Sequence, residues 1–182
     1  AVSGFLIENK KYKKFINPQY LKFTFYKLAF INHKNISSNI ESVDFLPGGF
    51  MLAKTKVLLE LGGWDTNFLY PFYNEDTDIT YRIKRAGYKL GFTNHSRAFH
   101  LKAKGGVRKN LDKNFFYAFG FNNSYHYIKN FGFFYYFLYS IFTLSDVFFV
   151  LRQFNLYYIV EYIKGIIYGV KKAKNFSIAS KL

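Results

Sequence analysis

The 182-residue chain has no cysteine, three prolines, one methionine and one tryptophan, and its 11 acidic residues face 26 Lys and Arg. Without cysteine there can be no disulfide, thiolate metal site or cysteine nucleophile, so any metal must sit on His and carboxylates, and nothing opposes an intracellular setting. The scarcity of proline, with half of the residues hydrophobic and 23% aromatic, excludes a disordered or low-complexity chain. The shortage of acid leaves a net charge of +15. Such a surface suits a polyanionic neighbour: nucleic acid, an anionic membrane face or a phosphorylated substrate. Its sign does not choose among them, and AT-rich coding would raise Lys, Asn, Ile, Phe and Tyr together. The opening AVSGFLIEN lacks an initiator Met, a basic n-region and an apolar h-region, so it reads as the interior of a longer chain and not as a signal peptide.

What is present suits one ordinary domain plus an accessory helical piece. Val2 to Ile7 reads as a strand, followed by a basic connection that includes Lys10 to Lys14 and Pro18. Tyr20 to Ile31 fits either strand alternation or a helix. Asp44 to Lys54 reads as an apolar strand carrying Gly48 and Gly49, where a missing Cβ lets another group approach the backbone. Thr55 is the expected N-cap of a short helix that stops at Gly62-Gly63. The aromatic loop FLYPFY leads into Asn74-Glu75-Asp76-Thr77-Asp78, acidic residues at the positive end of a helix that carries Ile79, Ile83 and Ala86 on its apolar stripe and closes at Gly87. Lys89 to Thr93 and Arg97 to Leu101 read as two short strands, and Lys102 to Lys109 as a basic loop. Three aromatic-rich helices are expected, over about 113–129, 133–151 and 156–170. The middle one approaches bilayer-spanning length, but Asp146 interrupts it, so an interfacial hairpin fits as well.

Glu75, Asp76 and Asp78 can supply a general base, or can be the capped start of a surface helix in which Asp78 pairs with Arg82. His100 can be a metal ligand or a structural histidine. His33, His95 and His126 have no stronger claim. Trp64 and the aromatic loop can stack on a sugar or a base, or can be core.

Taken in order, LPGGFMLAK, LGGWDTNF, NEDTDITYRIKRAGYKLGF and FH resemble the C-terminal half of family 2 glycosyltransferases of the GT-A fold, the rhamnosyl- and galactofuranosyl-transferase-like members, over Val43 to His100. The resemblance implies an α/β fold: the C-terminal portion of a GT-A domain over 1–111, followed by amphipathic, membrane-associating helices over 112–182. It implies inverting transfer from a nucleotide-diphosphate sugar to a lipid-linked or saccharide acceptor in envelope polysaccharide or glycolipid synthesis, at the cytoplasmic face of an anionic membrane and without nucleic acid. On that pattern Asp76 is the catalytic base and Glu75 its support. Gly48, Gly49, Trp64, Asp65, Asp78 and Arg82 shape the substrate side, and His100 joins a divalent Mg or Mn ion. The family's N-terminal half, with its DxD motif, has no counterpart before Ala1, and Asn122-Asn123 stands where many relatives carry Arg-Asn. The reading from a different class is a non-catalytic basic module that binds membranes or nucleic acid and keeps the fold as a relic.

Overall fold

In the computed structural model, residues 2–7, 19–23, 28–32, 41–46, 48–99, 111–142 and 155–179 are described. His100, both basic patches and the stretch 143–154 lie outside them. Contacts divide the chain into two compact units. One comprises Ala1–Asp65 and Asp76–Gly106, the other Thr66–Glu75 and Val107–Leu182. The ten residues ahead of Asp76 group with the helical unit.

The first unit is built on a four-stranded sheet of order β4 (Glu41–Ser42), β6 (Gly91–Phe99), β1 (Val2–Ile7), β5 (Met51–Leu52). β1 runs parallel to β6 and antiparallel to β5. The two short strands expected between residues 89 and 101 are one element. Its pairing with β1 shifts between Ser3↔Phe92 and Phe5↔Arg97, an irregularity that locally turns the strand. The ambiguous stretch from Tyr20 is a hairpin, β2 (Gln19–Phe23) against β3 (Leu28–Asn32), registered from Gln19↔Asn32 to Phe23↔Leu28.

The apolar run from Asp44 is not the strand its composition suggests. Gly48–Phe50 curls into a 3-10 turn and only Met51–Leu52 pairs as strand, because the Gly48 N–H is drawn to a side chain far along the chain. Helix α1 (Thr55–Glu60) starts one residue earlier than expected. Lys54 holds the N-cap without a side-chain bond, since an ammonium has no acceptor to offer the first-turn N–H groups. Its end is as read: Gly62 and Gly63, at φ +75° and +69°, donate to the Leu59 and Leu58 carbonyls at 3.0 and 2.8 Å.

Helix α2 (Glu75–Arg85) carries Arg82, Lys84 and Arg85 in its last turn and is closed by Gly87 at φ +87°. Ile79 and Ile83 are buried with Val43, Leu46, Val57, Leu90 and Phe92, each worth about 1.5–3 kcal/mol. Ala86 is exposed, so the stripe is shorter than the spacing suggested. Lys84 pairs with Asp44 at the surface, which adds little.

Among the described residues the second unit comprises α3 (Lys113–Phe131), α4 (Phe133–Phe142), α5 (Leu156–Ala179) and the loop Thr66–Glu75. Asp112 caps α3 by accepting the Phe115 N–H at 2.9 Å, and Gly132 at φ +89° separates α3 from α4. α3 and α5 cross at glycines. A Cβ on Gly165 would fall inside the van der Waals envelope of the Tyr117 carbonyl oxygen, and one on Gly120 inside that of the Tyr162 carbonyl. Backbone cannot swing aside as a side chain can, so Gly165→Ala must push the helices apart. Overpacking costs about 1–3 kcal/mol, more than the roughly 1 kcal/mol that Ala gains over Gly in a helix. The expected result is a lower urea midpoint for this unit. An unchanged midpoint would disprove the close crossing. Among the described residues no helix is long and apolar enough to cross a membrane.

Candidate active site

Among the described residues two sites carry the polar chemistry, one in each unit. In the first, the Gly48 N–H donates to Asp76 Oδ2 at 2.7 Å. The approach requires glycine, because a Cβ there would lie 2.5 Å from Oδ1 and 2.7 Å from Cγ of the same carboxylate. Thr80, fully buried, braces this junction: its hydroxyl donates to the Asp76 carbonyl at 2.7 Å and lies 3.5 Å from the Leu46 N–H. The half-buried Asp76 carboxylate is thus held in one orientation at the first turn of α2 by a backbone donor 28 residues away.

Two residues on, Asp78 is fully buried and accepts from Arg82 Nε at 2.9 Å. The Arg82 guanidinium also donates to the Leu61 and Gly63 carbonyls, both at 2.6 Å. Arg82 therefore stitches α2 to the glycine stop of α1, a fork that a Lys could not reproduce. The i,i+4 pairing anticipated for Asp78 and Arg82 is present, but buried and not on the surface. These bonds tie Asp78 and Arg82 to each other and to the end of α1, and the pair thereby positions α2.

Gly49 is exposed, Asp65 is half-buried, and Trp64 keeps 43% of its surface. Trp64 is accordingly not the core residue that a lone tryptophan suggests. His100 lies outside the described residues. Among the described residues no group of three or more His, Asp or Glu is arranged to hold a metal, so a divalent ion finds no donor set in the part described.

In the second unit the loop Thr66–Glu75 is fastened along α3. Asn122, fully buried, accepts the Leu69 N–H at 2.9 Å and donates to the Leu69 carbonyl at 2.7 Å. Asn74 Nδ2 donates to Asn123 Oδ1 at 2.7 Å. Phe68 is buried edge-on against Tyr125, with ring centroids 5.4 Å apart, and Tyr73 meets Phe119 edge-on at 5.3 Å. Between these anchors the backbone adopts positive φ at Phe72 (+55°) and Asn74 (+69°). Such a conformation costs about 1–3 kcal/mol at a non-glycine residue and persists only where the surroundings impose it; Asn tolerates it better than Phe. Glu75, half-buried, closes this loop and opens α2.

Sequence reasoning did not assign roles to Thr80, Asn122 and Asn123. The available signal was a pair of adjacent amides in the middle of a helix otherwise lined with Phe and Tyr, where each buried amide demands partners.

Compared with known families, the chain matches the one described as Glycosyl transferase family group 2 over residues 19–170. The match reaches well beyond the four motif segments on both sides, into the hairpin and the helical unit. No curated protein and no solved structure matches.

Proposed function

Because the chain belongs to glycosyl transferase family group 2, we propose that it carries the acceptor-activating wall of a GT-A-type enzyme that transfers a sugar with inversion from a nucleotide-diphosphate donor to an acceptor hydroxyl. The observation that carries this reading is the single orientation imposed on Asp76 by Gly48. With Oδ2 engaged by the backbone, Oδ1 is the atom that takes the acceptor proton. As that proton leaves, the hydroxyl oxygen bonds to the anomeric carbon, the bond from that carbon to the diphosphate oxygen breaks, and the nucleoside diphosphate departs with the electron pair. A single displacement of this kind inverts the anomeric centre. The barrier contribution of a positioned base is about 10²–10⁴-fold. Arg82, Asp78 and Thr80 act through the placement of α2.

Mg or Mn is the metal this family pattern implies, and when bound it would offset charge on the departing diphosphate. His100 is the residue of this chain proposed to help hold it.

The acceptor is proposed to be presented at the cytoplasmic face of a membrane, as a lipid-linked saccharide. Supporting this, α5 exposes Leu156, Val160, Ile163 and Ile167 at helical spacing, beside Lys164, Lys171 and Lys174, and the chain bears +15 overall. An apolar stripe flanked by Lys suits the interface of an anionic bilayer.

The test uses the full-length protein floated with anionic vesicles that carry polyprenyl-linked saccharides. Expected are salt-sensitive flotation and release of nucleoside diphosphate from a sugar nucleotide, abolished by EDTA and restored by Mg or Mn. Flotation with no release from any of a panel of sugar nucleotides would instead favour the non-catalytic basic module.

A further inference from the structure

The loop ahead of Asp76 buries or binds most of its residues but leaves two aromatic rings exposed. Phe68 and Tyr73 are packed on α3, while Leu69 and Asn74 are hydrogen-bonded to it. Tyr70 and Phe72, by contrast, keep 62% and 49% of their surface. Their rings stand at 90° to one another with centroids 5.7 Å apart, each leaving ring surface open. Exposing two large aromatics is unfavourable, and here it is imposed: a turn closed by the Phe72 N–H on the Leu69 carbonyl at 2.7 Å and the positive φ at Phe72 hold them outward. A residue kept in a sparsely populated conformation by over-determined surroundings is a mark of function. Loop and rings all belong to the helical unit.

We infer that Tyr70 and Phe72 form a stacking platform for a saccharide ring of the acceptor. The inference rests on the glycosyltransferase reading for its choice of ligand. One feature favours a sugar over a nucleobase. Several polar groups beside the rings are already engaged: both backbone groups of Leu69 by Asn122, the Phe72 N–H by the Leu69 carbonyl, and Asn74 Nδ2 by Asn123 Oδ1. They are not open to read the edge of a base, whereas a sugar lays its C–H face on an aromatic ring, whose face is electron-rich, and leaves its hydroxyls in water.

Saturation-transfer NMR with methyl glucoside, methyl galactoside and methyl rhamnoside tests this, with uridine as the competing probe. In the wild-type protein the C–H protons of at least one glycoside are expected to saturate. The combined Tyr70→Ala and Phe72→Ala variant should lose that effect by about 10-fold, in line with what aromatic stacking contributes. Tyr70→Phe and Phe72→Tyr, which keep the rings, should stay within about 2-fold. Both rings are largely exposed, so the folded state should survive, and circular dichroism checks it.

No saturation of any glycoside, equal saturation after both rings are removed, or saturation of uridine in their place would each overturn the platform. If glycosides bind through the two rings but the protein transfers no sugar, the platform stands and the transferase reading falls. If transfer proceeds and the acceptor KM is unmoved by removal of both rings, the platform falls and the transferase reading stands.

Discussion

Asp76→Asn in the full-length protein is expected to lower turnover by about 10²–10⁴-fold, the contribution of a positioned general base, or about 3–5 kcal/mol of barrier at 1.36 kcal/mol per tenfold. Asn is nearly isosteric with Asp and still offers an oxygen to the Gly48 N–H, so the 2.7 Å bond and the packing of α2 should survive. What is lost is the capacity to receive a proton. Initial rates of nucleoside diphosphate release, with the unfolding midpoint as control, measure this. Turnover within a few-fold of wild type, with the fold intact, would remove Asp76 from the chemistry.

Gly48→Ala should produce the second largest effect, although it touches no titratable atom. The new methyl would lie 2.5–3.0 Å from three atoms of the Asp76 carboxylate, so either the carboxylate rotates off its backbone donor or the 3-10 turn retreats. Displacing a reacting group by about 1 Å can cost about 10²-fold. The expected outcome is a 10- to 100-fold fall in kcat, accompanied by a stability loss of about 1–3 kcal/mol from overpacking. An acceptor KM that rises with kcat unchanged would instead make Gly48 a binding surface only.

These results bear on what can be read from the chain before it is folded. Local devices were legible: the glycine stop at Gly62-Gly63, the acidic start and basic end of α2, and the Gly87 closure all follow from signals within one or two turns of the residue concerned. The family pattern around Asp76 was legible too, because it is an ordered run of motifs.

Long-range choices were not. Nothing within ten residues of Gly48 says that its N–H will leave a strand ladder for a carboxylate 28 positions on, and so Asp44 to Lys54 looked like strand. Asn122 and Asn123 find their partners 53 and 49 residues back, in the aromatic loop. An aromatic run by itself does not disclose which rings it will bury, as Phe68 and Tyr70 illustrate. Tyr20 to Ile31 satisfied two periodicities at once, and pairing with its own second half decided for the hairpin.

A single linkage is central: a glycine amide at the start of a short turn aims the carboxylate proposed to activate the acceptor. Thr80 and Arg82 serve the same end by fixing the helix that bears it. The direct measurement is a double-mutant cycle on kcat for Gly48→Ala and Asp76→Asn. If Gly48 acts through Asp76, the double variant should be no slower than Asp76→Asn alone, because an aim is worthless once the base is gone. A double variant slowed by the product of the two single effects would show that the residues act independently and would contradict the account.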